Sequence, residues 1–374
     1  MDGPRPVTPD EFDGLIEMLD EVFTGGRRHM RDAFPLLFNV SNLANLFVIA
    51  ENGRPVSHAG VLVRDAYVFG CRVTTASIGS VCTLDEYRGR GYASRCLEAA
   101  EKKAVEDGAS VTLISGYRGM YTRLGAIQVG RSLVADFEAG EPAGGVSIRR
   151  AERADIDVLE QLYEREPVRF HRPLEDWENI VSAVEARSRG RHKHGIFIID
   201  SEPGSPAAYV AASRYEWQDG PHIRMDEYAG CRRSIVAALP GVAGALGSEA
   251  IKMRAPDWDA PLGALLRAED VYTAREHLMG HTVKVSSIEH FFHQVQPLME
   301  ERVGRSGAGA LKCATSLEGL YDCWVGEERL TFEPAAFTAL AFGQPETGDR
   351  HSRPESVLDR VFPLPLPLAG LNYV

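Results

Sequence analysis

Apolar and polar positions follow two different periods along the first third of the chain. From Phe12 to Val22, apolar residues recur every three or four positions, which predicts an amphipathic helix capped by Thr8. Two strand-like runs then flank Asn52-Gly53, a pair typical of a tight hairpin turn. The chain therefore begins with a helix and an antiparallel hairpin.

The next strand-like run, residues 73–84, leads through a loop rich in glycine and arginine into a second amphipathic helix. This helix is expected to end at Gly108. Two further runs, at 110–115 and 126–138, are expected to close the unit. The order of helix, hairpin, strand, helix and two strands predicts a mixed fold of the α/β (α+β) class.

The same pattern begins again after the linker Gly140–Gly145. Arg149 stands 144 residues after Arg5, and a helix, a hairpin and a strand–loop–helix unit follow in the same order. The second loop, Tyr228–Ser234, keeps its arginines but has a single glycine. We interpret this part as a second copy of the fold that has lost an anion-binding loop.

The last part of the chain, from His281, has a different pattern. Residues 283–303 have the spacing of an amphipathic helix, and the terminus is apolar and rich in proline. Chain ends are usually polar and frayed, so an apolar end is expected to dock on the folded protein. These changes of pattern predict three domains, at residues 1–140, 146–280 and 281–374.

Composition narrows the classes of function. The chain has 374 residues, of which 44% are hydrophobic, with no apolar run near the ~20 residues of a membrane span, so no membrane partner is expected. A formal net charge of −12 disfavours nucleic acid as a partner and is compatible with a cationic small molecule. The six cysteines lack metal-binding spacing and the N-terminus lacks a signal-peptide pattern. We therefore expect a cytoplasmic protein with reduced thiols and no bound metal.

The loop after the third strand carries the hexapeptide Arg88-Gly89-Arg90-Gly91-Tyr92-Ala93. Glycines at the start of a helix let backbone N–H groups and the helix dipole meet a phosphate. The string GxxxxGK[ST] of a nucleoside-triphosphate loop does not occur, and a dinucleotide site fails because Ser94 replaces the third glycine. The pyrophosphate loop of coenzyme A acyltransferases, Arg/Gln-x-x-Gly-x-Gly/Ala, fits, and a plain tight turn stays an equal alternative for the hexapeptide alone.

Residues 1–138 resemble a GNAT-superfamily N-acetyltransferase, on the stretch VCTLDEYRGRG and the downstream stretch GYRGMYTRLGA. The whole chain is similar to the Eis (enhanced intracellular survival) type, in which an active acetyltransferase domain, a degenerate copy and a sterol-carrier-protein-like domain follow in that order. The resemblance implies tandem GNAT folds with mixed central sheets before an α+β sterol-carrier-like domain. It also implies acetyl-CoA as cofactor, an aminoglycoside- or polyamine-like amine as acceptor, and a homo-oligomer, often a hexamer.

The resemblance further assigns site residues. The cofactor-binding set that it implies is Val81, Cys82, Thr83, Arg88, Gly89, Arg90, Gly91, Tyr92 and Ala93. It implies that Tyr121 protonates the leaving thiolate and that the terminal carboxylate of Val374 accepts the proton of the amine. Two plainer interpretations stay open, with Tyr121 as a half-buried aromatic and the tail as packing alone. A CoA-binding regulatory protein and an apolar-ligand carrier, both without turnover, are the alternative functions.

Overall fold

The computed structural model describes residues 1–27, 29–188, 192–217, 220–269, 271–277, 281–343, 357–366 and 370–372. Contacts within the chain form two compact units. The first comprises Met1–Gly130 and Met279–Pro367, and the second comprises Arg131–Leu278 and Leu368–Tyr373.

The strands, numbered in chain order, are β1 Asp2–Pro6, β2 Leu46–Glu51, β3 Arg54–Val68, β4 Cys71–Thr83, β5 Val111–Ser115, β6 Arg131–Glu138, β7 Ser147–Arg150, β8 Val168–Phe170, β9 Lys193–Glu202, β10 Ser205–Trp217, β11 Gly220–Gly230, β12 Ala250–Pro256, β13 Tyr272–His277, β14 His281–Val285, β15 Leu311–Thr315, β16 Tyr321–Val325 and β17 Glu328–Phe332. The helices are α1 Phe12–Thr24, α2 Met30–Ala33, α3 Tyr92–Glu106, α4 Gly119–Arg123, α5 Ile156–Glu164, α6 Leu174–Arg187, α7 Arg232–Ala245, α8 Ala260–Ala268, α9 Ile288–Gly309, α10 Pro334–Phe342 and α11 Val357–Val361. None of the described helices combines the length and apolar character that crossing a membrane requires.

The central sheet of the first unit has the strand order β1-β2-β3-β4-β5-β14. β4 and β5 run parallel and the other neighbours run antiparallel, so the sheet is mixed. The connection from β4 to β5 is α3, because a parallel pair needs a crossover. The helix was predicted from an apolar face formed by Ala93, Cys96, Leu97, Ala100 and Ala104. It buries the last four of these residues, whereas Ala93 is only partly buried.

The tight turn between β2 and β3 is also the one that the sequence predicts. Asn52 and Gly53 have φ of +51° and +79°, and Glu51 pairs with Arg54 across them. Two consecutive left-handed residues make a turn whose twist matches that of antiparallel strands. The hairpin prediction is therefore confirmed.

The central sheet of the second unit has the order β13-β6-β12-β11-β10-β9-β7. β11 and β12 are parallel and the other pairs antiparallel, so this sheet is mixed as well. The predicted fold class, mixed α and β with mixed central sheets, is confirmed.

The strand predicted over 126–138 does not close the first unit as the sequence analysis expected. Its main part, β6, pairs with β12 and β13 in the second sheet. Leu133, Ala135 and Phe137 belong to the buried core of that unit. An apolar strand can add to any sheet that buries its side chains, and its own sequence does not specify which one.

The repeat seen in the sequence has a structural counterpart at the start of each unit's first helix. Arg5 binds Glu11 through two bonds of 2.8 Å, directly before α1. Arg149 binds Asp155 through bonds of 2.8 and 2.7 Å, directly before α5. The same bidentate pair therefore recurs at the offset that the sequence repeat has.

The remaining part of the first unit is a three-stranded antiparallel sheet, β15-β16-β17, with α9 and α10. Phe291 of α9 stacks on Phe362, with ring centroids 6.2 Å apart, and meets Phe337 of α10 edge-on at 6.3 Å. The domain boundaries predicted at 1–140, 146–280 and 281–374 stay a prediction, because compact units of contacts do not report which segments fold independently.

Candidate active site

The parallel strands β4 and β5 stay paired over only part of their length. Their ladder joins Thr75–Ile78 to Val111–Ile114. β4 continues to Thr83, whereas β5 ends at Ser115, so the last residues of β4 extend beyond this ladder. The edge of β4 that faces β5 is thus available there for another partner.

A β-bulge lies in the same part of β4. His58 of β3 pairs with Cys82 and Gly60 pairs with Gly79, so Ser80 and Val81 face one residue of β3. Ser80 has φ of +53°, in the left-handed region that residues other than glycine rarely adopt. A bulge redirects the backbone groups of the strand that contains it.

The loop after β4 delivers the chain to the N-terminus of α3 with two left-handed glycines. Gly89 has φ of +77° and Gly91 has φ of +75°. A Cβ atom at either position would meet nothing within 4 Å, so backbone conformation, not crowding, favours glycine here. Gly91 is the N-cap of α3 and has no side chain with which to cap the first N–H groups. Those groups are therefore suited to an anion.

A cavity of about 420 Å³ lies at this junction. Ligand pockets have volumes of about 300–1,000 Å³, so its size suits a ligand-binding site. It is lined by Val22, Phe23, Cys82, Thr83, Tyr87, Arg88, Gly89, Gly91, Tyr92, Ala93, Ser94, Arg118 and Met120.

The arginines around the cavity are held loosely. The exposed Arg88 binds the exposed Asp85 at 2.7 Å, and its Nε donates to the Thr83 carbonyl at 3.4 Å. Arg118 donates from Nη1 to the Val81 carbonyl at a long 3.4 Å. Arg90 lies over the Tyr87 ring, 5.2 Å from its centroid. Exposed ion pairs contribute about 0–1 kcal/mol, so these guanidinium groups can change partner when an anion binds.

The structure brings together most of the predicted cofactor-binding residues. Cys82, Thr83, Arg88, Gly89, Gly91, Tyr92 and Ala93 line the cavity, whereas Val81 and Arg90 adjoin it. Tyr121 directly follows the cavity-lining Met120 on α4, is itself 2% exposed, and is not among the residues that line the cavity. Val374 lies outside the described residues. Of the described residues, no three His, Cys, Asp or Glu side chains cluster as metal ligands would.

Several cavity residues were missed by the sequence analysis. Val22 and Phe23, at the end of α1, and Arg118, before α4, come from segments distant in sequence from the loop. Phe23 directly follows Val22, the last residue of the predicted apolar face, so it lies off that face, and the structure leaves it 43% exposed. The only feature of the sequence that could have indicated Arg118 as a cavity residue is its position close to Tyr121.

The Cys82 thiol lines the cavity but is unsuited to nucleophilic catalysis. Burial, and to a smaller degree the nearby Cys96, raises the pKa of Cys82 to about 12. The thiolate is the nucleophilic form and is almost absent near neutral pH in such a group. This argues against an acyl-cysteine intermediate.

Replacing Cys82 with alanine is accordingly expected to leave kcat for the acetyl transfer that the sequence resemblance implies within about 3-fold of the wild-type value. Release of free thiol from acetyl-CoA measures this directly. A loss of two orders of magnitude, together with an acetylated enzyme trapped by mass spectrometry, would contradict it.

Because His58 is buried beneath the bulge, we expect the stability of the protein to depend on pH. It is fully buried, and burial lowers its pKa from 6.5 to about 4. The unfolded chain therefore binds a proton at His58 at a higher pH than the folded protein does. Its contribution to the free energy of unfolding is complete above pH 6.5 and is lost as the pH falls towards 4.

Between about pH 7.5 and 4.5, the free energy of unfolding of the wild type should fall by about 2–3 kcal/mol more than that of His58→Asn. Chemical denaturation at both pH values provides the comparison. Equal losses in the two proteins would show that His58 does not titrate in this way.

In the second unit, the N-terminus of α7 corresponds to that of α3. The Glu166 carboxylate already occupies this place. The Glu166 carboxylate accepts from the Gly230 N–H at 2.8 Å and from the Arg232 guanidinium at 2.7 and 2.5 Å. Arg232 also donates to Asp259 at 2.9 Å. The cavity beside these residues has about 30 Å³, far below the roughly 300–1,000 Å³ of typical ligand sites. A side-chain carboxylate thus stands where an anionic ligand would bind.

Comparison with known proteins places this geometry in context. Residues 4–128 match the family model of the acetyltransferase (GNAT) domain. A GCN5-related N-acetyltransferase from Kribbella flavida has a similar structure, with 16% identity, 97% of both chains covered and a TM-score of 0.61. Eis1 from Mycobacterium abscessus has 15% identity, 98% of both chains covered and a TM-score of 0.60.

A third similar structure, a GCN5-related N-acetyltransferase from Anabaena variabilis, has 13% identity and a TM-score of 0.60, covering 90% of this chain and 89% of that one. No curated protein sequence matches the chain. At these identities the similarities show a shared fold over nearly the whole chain.

Proposed function

We propose that this chain, whose residues 4–128 match an acetyltransferase (GNAT) domain, is an acetyl-CoA-dependent N-acetyltransferase that acts on an amine of a small cationic molecule. The observation that carries the proposal is the cavity at the junction of β4 and α3. It places an uncapped helix start, a bulged strand end and two arginines around one space. The matched domain and its structural neighbours support an N-acetyltransferase.

The loop and helix start would hold the pyrophosphate of the cofactor. The first N–H groups of α3 point out of the helix at its positive end. Gly91 leaves them without a side-chain cap, and Arg88 and Arg118 line the same space. Guanidinium groups bind phosphate oxygens through charge-assisted bonds, and the loose pairing of both arginines leaves them free to do so.

Acetyl-CoA supplies the acetyl group as a thioester, which a neutral amine can attack. The part of β4 beyond the β5 ladder would receive the pantetheine arm as an added strand, with the N–H groups of Val81 and Thr83 directed to it. Donors aimed at the carbonyl oxygen stabilise the charge that develops there, and losing one typically costs about 3 kcal/mol in the barrier.

Two proton transfers complete the proposed roles. Tyr121 would give a proton to the leaving thiolate, and the terminal carboxylate of Val374 would accept one from the amine. Tyr121 is buried on α4, directly after the cavity-lining Met120, and its 2% exposure shields its hydroxyl from bulk water. A proton donor in a shielded site does not compete with water for the thiolate.

The finer features of the proposal follow the Eis type. They are a degenerate second acetyltransferase domain, a sterol-carrier-like C-terminal domain, a homo-hexamer, a cytoplasmic location and an aminoglycoside- or polyamine-like acceptor. The fold shared with Eis1 supports the type, and the net charge of −12 supports a cationic acceptor. The Glu166–Arg232 pair supports a second unit that does not bind CoA.

The alternative function of an apolar-ligand carrier has less support. An apolar cavity between β4 and the C-terminal part of the first unit, lined by Val73, Phe291, Phe342 and Leu366 among others, has about 10 Å³. Sites for drug-sized ligands have about 300–1,000 Å³, so this cavity does not hold one.

The deciding experiment incubates the purified protein with acetyl-CoA and a panel of amines, including aminoglycosides and polyamines, and follows free thiol. Turnover establishes the enzyme, and a variant with a short C-terminal extension tests the role of Val374. Tight CoA binding without turnover for any amine would replace the proposal with a CoA-binding regulatory protein.

Replacing Gly91 with aspartate is expected to weaken CoA binding at least about 30-fold, measured by calorimetry. The carboxylate would repel the pyrophosphate at the helix start, and the side chain would strain a residue with φ of +75°.

Gly108→Asp is the matched control. Gly108 ends the same helix with φ of +88°, and a Cβ there also meets nothing within 4 Å. It should therefore share the strain and keep the wild-type affinity. Unchanged affinity in Gly91→Asp would show that the loop does not bind the cofactor. Equal losses of affinity in both variants would show that backbone strain, and not repulsion of the pyrophosphate, causes the effect of Gly91→Asp.

A further inference from the structure

The buried histidine under the bulge makes one hydrogen bond with a clear direction. His58 Nδ1 lies 2.9 Å from the Ser80 carbonyl oxygen, whereas its Nε2 is buried without a partner among the described residues. A carbonyl oxygen only accepts, so Nδ1 must carry the hydrogen and donate it. The neutral tautomer of His58 is thereby fixed.

The peptide unit that accepts this bond also contains the N–H of Val81. In a trans peptide the C=O and the following N–H point in opposite directions across one rigid plane. Because the His58 ring holds the Ser80 oxygen, the Val81 N–H of the same peptide plane is directed away from that ring. The Val81 carbonyl accepts from Arg118, beyond the end of the β5 ladder.

The surroundings of the ring are shaped to keep it in place. A Cβ atom at Gly60 would lie 3.0 Å from His58 Cε1 and 3.1 Å from Leu37 Cδ1, so any larger residue there would push the ring and Leu37 by a few tenths of an ångström. The Phe38 ring lies against His58 with a centroid distance of 6.0 Å. The imidazole therefore has little freedom to leave the Ser80 carbonyl.

This arrangement costs stability. A buried nitrogen without a partner costs about 1–3 kcal/mol, and a left-handed residue other than glycine costs about 1–2 kcal/mol more. Leucine at position 58 would fill similar space without the polar cost. Backbone strain of this kind is often kept where it orients a functional group.

We infer that His58 is a positioning residue that aims the Val81 N–H at the thioester carbonyl of acetyl-CoA by holding the Ser80 carbonyl from the other side of β4. The inference rests on the proposed function for the identity of the ligand. His58 itself stays buried and transfers no proton. Its Nδ1–H is the group that orients the Ser80–Val81 peptide.

The test compares variants that keep or remove this donor. The amide nitrogen of asparagine is bonded to Cγ, as Nδ1 is, so His58→Asn can still donate to Ser80. His58→Leu keeps the volume and removes the donor. We expect His58→Leu to lower kcat about 30-fold with the Kd for CoA within about 3-fold, and His58→Asn to retain kcat within about 5-fold.

Three outcomes would overturn the inference. They are an unchanged kcat in His58→Leu, an equal loss in His58→Asn, and a loss of CoA affinity as large as the loss of kcat. Should His58→Leu fail to fold, His58→Gln replaces it, because its amide stands one bond further out and overshoots the Ser80 oxygen.

His194→Leu is the control for the loss of a partly buried histidine elsewhere in the protein. His194 also uses Nδ1, 2.7 Å from Ser213 Oγ, and burial lowers its pKa to about 4 as well. It belongs to the second unit, so kcat should stay within about 2-fold.

A readout independent of turnover separates this inference from the proposed function. In protein labelled with 15N-valine, acetyl-CoA should shift the Val81 amide resonance beyond the shift that CoA causes. His58→Asn should keep this difference and His58→Leu should lose it. If the Val81 amide shifts as expected but no amine is acetylated, the proposed function is wrong and the inference about His58 is still supported. No acetyl-dependent shift in the wild type, or the same shift in His58→Leu, would end the inference.

Discussion

Phenylalanine at position 121 is expected to lower kcat for acetyl transfer by about 100-fold or more while leaving CoA affinity unchanged. The substitution removes the hydroxyl that would protonate the leaving thiolate and keeps the ring. Tyr121 is 2% exposed, so the retained ring keeps the buried packing of this position. Free thiol release at saturating acetyl-CoA and amine measures kcat, and calorimetry measures the Kd for CoA.

Tyr117→Phe is the matched control, because Tyr117 is four residues away on the same segment and 71% exposed. Its kcat should stay at the wild-type value. An intact kcat in Tyr121→Phe would remove Tyr121 from the chemistry and leave the plainer interpretation of a buried aromatic. A parallel loss of CoA affinity would instead assign it to binding.

The parts of the site that could be predicted from the sequence are those whose signals lie within a few consecutive residues. The hairpin at Asn52-Gly53 and the junction from β4 into α3 depend on glycines, caps and apolar spacing within short windows. Such signals act over a few residues, so they can be read without the fold. The loop accordingly lies where the hexapeptide placed it.

The parts that were missed depend on contacts between distant segments. His58 reaches the Ser80 carbonyl across a hydrogen-bonded strand pair, and Arg118 reaches Val81 from the segment after β5. The bulge itself is a register shift between β3 and β4, and the sequence of one strand does not reveal it. The sheet to which β6 adds is decided in the same non-local way.

A buried ion pair in the second unit is another feature without a sequence pattern. The Arg172 guanidinium binds both oxygens of Glu227, at 2.8 and 2.6 Å, with side chains 1% and 5% exposed. Arg172 Nε also donates to the Asn372 side chain at 2.6 Å, and the Leu371 N–H donates to Glu227 at 3.1 Å. The pair thereby binds the 3₁₀ turn Gly370–Asn372 near the end of the chain.

Aromatic groups complete the surroundings of this pair. Arg172 lies over the Tyr163 ring at 4.0 Å and the Trp177 ring at 4.7 Å. The Tyr209 hydroxyl donates to Glu227 at 2.6 Å. Burial, and then the charge of Glu227, raises the pKa of Tyr209 well above its usual value, so this hydroxyl stays protonated and remains a donor. Each oxygen of the carboxylate therefore has more than one partner.

Replacing Arg172 with alanine is expected to lower the free energy of unfolding by about 3–5 kcal/mol, because it leaves the Glu227 carboxylate buried without its cation. For a unit of this size the midpoint of thermal unfolding should fall by about 10 °C. Differential scanning calorimetry measures the shift. Replacing both partners, as Arg172→Met with Glu227→Leu, should recover much of the loss, since an apolar pair leaves no buried charge unpaired.

Arg149→Ala is the control that distinguishes the loss of a buried ion pair from the loss of an exposed one. Arg149 also binds a carboxylate with two bonds, to Asp155, but 45% of its side chain is exposed. Its loss should cost about 0–1 kcal/mol, because water stabilises both ions once they separate. If Arg172→Ala costs no more than Arg149→Ala, the Arg172–Glu227 pair does not hold the second unit together. If the double variant is as unstable as Arg172→Ala, the lost contacts of Arg172 with the aromatic rings and the chain end, and not the unpaired carboxylate, carry its effect.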